Sequence, residues 1–281
     1  MNDVPRRIVI PGGSGHLGRF LAGKMAARGD DVVILTRRPD ADLPRGVRAV
    51  TWDGRTEGRW TAEVDGCDVV LNLAGRSVSC RYNKVNLHEM MASRVESTRI
   101  VGAAIAAATT PPPVWLQMST ATIYAHRYDA ANDEDTGIIG GGEPDAPGYW
   151  AYSVEIAKAW EAEQQAADTP DTRKVALRTA IAMSPGRGGA FEVMRMMARF
   201  GLGGPVAGGA QYFSWLHDAD LLAAIDFLVV RDDIAGPVNL AAPNPLPHRD
   251  FMRALRAAIG MPIGLPATRR MAELGALVVG S

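Results

Sequence analysis

The chain has 281 residues, 47% hydrophobic and 22% charged, with a formal net charge of −1 at pH 7. That length can bury a full core as one α/β domain with an added lobe. The near-neutral balance gives no sign of the basic surface that a nucleic acid or an anionic membrane would require of a partner.

The apolar run Ile8-Val9-Ile10 predicts a buried strand, ended by Pro11, which cannot donate a ladder hydrogen bond. A glycine turn with the spacing Gly12-x-x-Gly15-x-x-Gly18 follows, and then a helix over 19–28. Each glycine has a physical reading. Gly12 turns the chain off the strand, Gly15 lets backbone approach a pyrophosphate, and Gly18 lets the helix pack close to the sheet. The start of that helix, with His16 and Leu17 in the turn before it, offers N–H groups and a partial positive charge to phosphates. Glycine is common here, at 30 residues, so the pattern gains its weight from the strand before it and the helix after it.

Residues 31–36 predict a second strand. A cofactor with a free ribose 2′-hydroxyl usually meets an Asp or Glu at this strand's end, whereas this chain has Thr36-Arg37-Arg38. Two guanidiniums suit a 2′-phosphate, so NADP(H) is favoured over NAD(H), with a solvated arginine turn as the plain alternative. Residues 47–52 predict a third strand ending at Asp53, and 68–75 a fourth, whose small Leu73-Ala74-Gly75 end would let a cofactor lie against backbone. A polar loop over 76–86, a long helix over 87–108 stopped by Pro111-Pro112-Pro113, and a fifth strand over 114–119 complete this half. The alternation predicts an α/β fold, a Rossmann doubly wound parallel sheet.

A sixth strand is expected over 174–179, with Arg178 near its end. From Met183 the alternation breaks into a loop over 185–189, a Met-rich amphipathic helix over 190–200 and a glycine-rich stretch over 201–209. A Met-rich face fills a core gap or lines an adaptable pocket. A helix over 221–230 is expected to return to the Rossmann half, and 250–259 to form a short helix of the lobe. The division expected is therefore residues 1–182 plus 211–235 as the NADP(H)-binding domain. Residues 183–210 and 236–281 form a small C-terminal substrate lobe. Ligand would lie between them at the strands' C-terminal ends.

The glycine-rich opening, Leu73-Ala74-Gly75 and Ser119-Thr120-Ala121-Thr122-Ile123-Tyr124 resemble an extended short-chain dehydrogenase/reductase. Three later stretches, Gly201-Leu202-Gly203-Gly204-Pro205, residues 213–220 and residues 236–245, resemble its atypical, YfcH-like NAD-dependent epimerase/dehydratase branch. The resemblance spans nearly the whole chain. It implies that Asp53 touches the adenine amine and that Leu73, Ala74 and Gly75 lie along the cofactor, although an Asp in Trp-Asp-Gly is also ordinary turn chemistry. Ser119 joins that cofactor set, and Arg94, on the helix flanking the cofactor, joins it as well. An anionic substrate or a loop brace would equally account for Arg94.

In the superfamily a Ser or Thr after the fifth strand orients the substrate, a Tyr acts as acid or base, and a Lys four residues on favours the phenolate. Thr120 matches the first position, but the Tyr-Lys pair does not transfer. Tyr149 is followed four residues later by Ser153, and Tyr152 by Ile156. Lys158 is six residues past Tyr152, about 120° off its helical face. The branch itself lacks the pair, so the absence fits the resemblance. Thr120, Tyr124 and Tyr152 are the catalytic candidates, with Tyr149 beside them. His217 is expected to pack, and Asp220 to cap the helix that follows.

Cys67 and Cys80 match no metal spacing and are too few for a disulfide framework, which suits a reducing cytoplasm. The first strand begins by about residue 7, leaving no room for a signal peptide, and the apolar run over 100–108 is short of a membrane span. The expected function is NADP(H)-dependent hydride transfer on an unknown small carbonyl or hydroxyl compound, as an oxidoreductase or half of an epimerisation. The alternative is a catalytically silent NADP(H)-binding sensor or partner-binding module. A homodimer through paired helices is compatible with either, and no membrane or nucleic-acid partner is expected.

Overall fold

The computed structural model describes residues 4–39, 42–78, 80–144, 148–184, 186 and 189–271. Its strands are β1 (Arg7–Pro11), β2 (Asp31–Thr36), β3 (Val47–Thr51), β4 (Val69–Asn72), β5 (Val114–Thr120), β6 (Arg173–Thr179), β7 (Ile181–Met183), β8 (Tyr212–Phe213), β9 (Trp215–His217), β10 (Gly236–Leu240) and β11 (Leu246–Pro247). Its helices are α1 (His16–Ala27), α2 (Thr61–Val64), α3 (Lys84–Ala106), α4 (Gly148–Ala166), α5 (Ala190–Arg199), α6 (Asp218–Val230) and α7 (His248–Ala258). Among the described residues no helix is long and apolar enough to cross a membrane.

Seven strands form one parallel sheet in the order β3-β2-β1-β4-β5-β6-β10. Strand residues alternate between two cores, as a pleat buried on both faces requires. Ile8, Ile10, Val32, Ile34, Val69 and Leu71 pack with Leu21 and Met25 of α1 and with Leu221, Ile225 and Leu228 of α6. Val9, Val33, Leu35 and Val70 face the other way, onto Val101, Ala104 and Ile105 of α3 and onto Trp60 and Trp115. The strand order reverses between β1 and β4, the point at which sheets of this kind place a ligand, outside the strands' C-terminal ends.

Two expectations need correction. Residues 236–240, expected in the lobe, are the edge strand of the main sheet, with Gly236 opposite Val175 and Leu240 opposite Thr179. Their Gly-Pro-Val-Asn-Leu sequence lacks a continuous apolar run because an edge strand is only half covered, and Pro237 is tolerated at an edge. Tyr212–Phe213, expected in the Rossmann half, pair instead with Leu246–Pro247.

The lobe has its own small core. Ala198 of α5 packs on Met252 and Leu255 of α7, with Phe191, Met194, Phe251 and Ile259 partly buried around them. Met194 therefore fills a core gap, while Met196 and Met197 stay exposed. Pro185, Arg187 and Gly188 of the expected loop, and residues 272–281 of the expected lobe, lie outside the described residues.

Candidate functional site

The glycine turn separates into structural and open positions. Gly12 has φ +72°, and a Cβ there would sit 2.6 Å from Ala74 Cα, so both conformation and packing demand glycine. A Cβ on Gly18 would strike the backbone of Gly13, so this glycine serves contact within the turn rather than the expected contact with the sheet. Gly15 differs from both. A Cβ there would meet only Gly12 O, at 3.8 Å, so the protein's own packing leaves that space open. Gly15 is also the N-cap of α1, which starts at His16, three residues earlier than expected. No side chain caps this end, its first turn holds no acid, and the N–H groups of His16 and Leu17 have no acceptor among the described residues. Open donors at a helix start form a receptor for an anion. The His16 ring lies against Gly186 and Gly189, where added Cβ atoms would come within 2.8 and 3.0 Å of it, and its Nε2 is buried without a partner among the described residues.

At the end of β2, buried Thr36 donates to Ser14 Oγ at 2.9 Å and accepts from Arg38 N at 3.1 Å, tying the strand end to the glycine turn. Arg37 and Arg38 are exposed, and neither has an ion-pair partner among the described residues. Asp53 follows β3. Its carboxylate accepts from Arg55 N at 2.8 Å, Thr56 N at 2.9 Å and the Thr56 hydroxyl at 2.7 Å. Those bonds, the Thr56 hydroxyl foremost, hold its carboxyl down at about 2.

At the end of β4, Asn72 Nδ2 donates to Gln117 Oε1 at 2.9 Å, and its Oδ1 accepts from Ala74 N at 3.0 Å, which sets the course of Leu73-Ala74-Gly75. A Cβ on Gly75 would lie 3.2 Å from Arg94 Cζ, so the Arg94 guanidinium rests on Gly75 backbone. Arg94 Nη1 donates to Met90 O at 2.9 Å, and Cζ stands 4.9 Å from the centre of the Trp160 ring. Burial pushes this guanidinium down to about 10, so it remains charged at neutral pH.

Beyond β5 lies a network that local sequence does not announce. Arg178, its side chain 9% exposed, donates through Nε at 3.0 Å and Nη2 at 2.8 Å to the two oxygens of Glu161. Ser119 Oγ donates to the same carboxylate at 2.6 Å, so this hydroxyl is committed to α4 rather than to the crevice. Arg178 Nη1 donates to the Tyr124 hydroxyl at 2.8 Å, which in turn donates to Asn239 Oδ1 at 2.9 Å. Tyr124 is 6% exposed. A Cβ on Gly137 would lie 2.7 Å from its ring, so neighbouring backbone walls it in.

Thr120 is half-buried, donates to Thr122 Oγ1 at 3.0 Å and accepts from Thr122 N at 3.2 Å. Tyr152, also half-buried, donates to Leu87 O in the first turn of α3 at 3.2 Å. Tyr149 is exposed. Lys158 pairs with Glu155 at 2.7 Å on the solvent side of α4, and that helix is regular, so Lys158 assists neither tyrosine. His217 corrects one expectation: 55% exposed, it is the N-cap of α6, its Nδ1 accepting from Ala219 N at 3.1 Å. Asp220 lies inside that helix, in its first turn, and is not the cap. Two shallow surface recesses, one lined by Arg99, Gly102 and Glu163 and one by Lys174 and Gly236, lie toward the other end of the sheet. No group of His, Cys, Asp and Glu among the described residues could hold a metal ion.

Sequence inspection missed Glu161, Asn239 and Tyr82. Glu161 and Asn239 meet their partners across 17 and 115 residues, so no spacing rule finds them. Tyr82, which stands near Arg94, carried a usable signal: an aromatic in the loop at a strand's C-terminal end.

Residues 8–241 match the family model described as "NAD dependent epimerase/dehydratase family". The chain is 32% identical over 266 residues to "Epimerase family protein SDR39U1" of Bos taurus, covering 92% of this chain and 83% of that one. It is 28% identical over 278 residues to "Epimerase family protein YfhF" of Bacillus subtilis, covering 97% and 88%. The crystal structure of human SDR39U1 isoform 2 with NADPH superposes with a TM-score of 0.81 at 28% identity, covering 98% of this chain and 86% of that one. With the glycine turn, the doubly wound sheet and a match over most of its length, the chain belongs to the NAD dependent epimerase/dehydratase family.

Proposed function

We propose that the protein binds NADP(H) and acts on a small carbonyl or hydroxyl compound as an oxidoreductase or as half of an epimerisation. The observation that carries this reading is the open, uncapped start of α1 at Gly15, beside two arginines with no carboxylate partner among the described residues. Such a place suits a molecule with a pyrophosphate and a further phosphate near its ribose. The human relative crystallised with NADPH supports the same cofactor.

In this reading Gly12 and Gly18 shape the turn, and the N–H groups at Gly15, His16 and Leu17 hold the pyrophosphate. Thr36 sets the turn against β2, while Arg37 and Arg38 grip the 2′-phosphate. Asp53 faces the adenine with the acceptor capacity its turn leaves over, and Leu73, Ala74 and Gly75 line the cofactor. The bound nicotinamide supplies or takes up hydride. Thr120 would orient the substrate oxygen, and Tyr152 would exchange its bond to Leu87 O for a proton at that oxygen. Tyr124 and Ser119, bonded to protein partners, act as positioning residues that keep the end of β5 in place. We infer a cytoplasmic protein from two free cysteines, with burial pushing Cys67 up to about 12, and a homodimer through paired helices.

Calorimetric titration with NADPH and with NADH tests the cofactor. NADPH in the micromolar range with NADH at least about tenfold weaker is expected, and the preference should vanish in Arg37→Ala/Arg38→Ala. Equal affinities would reduce the arginines to a solvated turn. A second reading, a cofactor-binding sensor without turnover, is favoured by one observation, Lys158 committed to Glu155 away from every tyrosine. Absence of NADPH oxidation across a broad carbonyl panel, with tight NADPH binding, would select it.

A further inference from the structure

Arg94 is a half-buried cation without a counter-ion among the described residues. Its guanidinium touches the Gly75 backbone, the Met90 carbonyl and the Trp160 ring, and no carboxylate lies within ion-pair distance among the described residues. The titratable neighbours whose charge acts on it are Tyr82 and Cys80, a phenol and a thiol. Burial pushes the Tyr82 phenol up, so it is neutral at neutral pH. One carbonyl and one aromatic face are a poor exchange for the water that this guanidinium has lost. Among the described residues its Nε and Nη2 have no hydrogen-bond partner, and neither is among the fully buried unsatisfied atoms, in keeping with a side chain that is only half-buried. Planar, forked donors with an open edge are the geometry that receives a carboxylate or a phosphate.

Position decides which anion. In the reading above, the cofactor's phosphates already have receptors at the start of α1 and at Arg37 and Arg38, all on the β1–β2 side. Arg94 stands across Ala74 and Gly75 from them, on α3 against Trp160 of α4, level with the end of β5. We propose that Arg94 is the receptor for a carboxylate or phosphate carried by the substrate, so that the protein takes an anionic carbonyl or hydroxyl compound. This rests on the NADP(H) reading only in leaving Arg94 to the substrate.

Thermal-shift titrations with inorganic phosphate and with malonate, on NADPH-saturated and cofactor-free protein, test it. Saturable stabilisation is expected in the wild type. The anion response should weaken by about tenfold or more in Arg94→Gln and Arg94→Met, and by no more than about threefold in Arg94→Lys. NADPH affinity, measured separately, should stay within about twofold throughout. Without anions, Arg94→Met should melt at or near the wild-type temperature, because a half-buried charge with no ion-pair partner among the described residues is gone. Anion responses unchanged in both neutral variants would overturn the proposal. So would a tenfold loss of NADPH affinity with no anion response in the saturated wild type, which would assign Arg94 to a cofactor phosphate. Neutral variants melting well below the wild type, again with no wild-type anion response, would make Arg94 a brace. If the wild type binds no NADPH, the cofactor reading fails, and titration of the cofactor-free protein still decides the role of Arg94.

Discussion

Arg178 is buried and Arg94 half-buried near the C-terminal end of the sheet, yet their surroundings are opposite. Arg178 has the Tyr124 hydroxyl and both oxygens of Glu161, a carboxylate that it shares with Ser119. Arg94 has one backbone carbonyl and an aromatic face. A buried charge that comes with its partner ties elements together, here β5, β6, α4 and β10. A half-buried charge left without one raises the energy of the empty site and lowers the relative cost of binding an anion. The same division runs through the glycine turn, where Gly12 is closed by Ala74 and Gly15 is left open.

The largest break in this contrast should come from the closed side. Glu161→Ala leaves the Arg178 guanidinium buried and unpaired, and should cost about 3–5 kcal/mol. A chemical denaturation curve checks this, and a loss below about 1 kcal/mol would mean that Arg178 reaches solvent when its partner is gone.

The glycine pair should separate next. Gly12→Ala forces an alanine into φ +72° and against the Ala74 backbone, and should lower stability by about 1–3 kcal/mol as well as weaken NADPH binding. Gly15→Ala should leave the melting temperature nearly unchanged while weakening NADPH about tenfold or more, because its Cβ enters only the open space. Equal effects on stability at the two positions would remove the distinction.

The smallest expected difference lies between two tyrosines. Tyr124→Phe strips a partner from Arg178 and from Asn239, and should cost about 1–3 kcal/mol. Tyr152→Phe loses one half-buried bond to Leu87 O and should stay within about 1 kcal/mol, with its effect falling on kcat instead. If Tyr124→Phe spared stability and abolished turnover, the roles proposed for the two would be reversed.

The glycine spacing, the apolar strands, the arginines after β2 and the missing Tyr-Lys pair were all legible in the amino-acid order. Each is a local matter, since a strand, a turn or an i, i+4 pair involves residues a few positions apart, and periodicity records which face is covered. The same rules failed where partners are distant or coverage is partial. They placed Gly236–Leu240 in the lobe because an edge strand lacks the apolar run of an interior one. They gave the cap of α6 to Asp220 because an aspartate is the commoner cap, when the His217 ring already met Ala219 N.

The tertiary structure alone decided which charges have partners. Nothing near Arg178 in the chain signals Glu161 or Tyr124, 17 and 54 residues away, and nothing near Arg94 signals that no carboxylate will arrive. A sequence specifies which groups carry charge. Whether that charge is neutralised within the fold or held open for a ligand depends on which distant elements pack against it, because electrostatic compensation is set by distance in space and by exclusion of water.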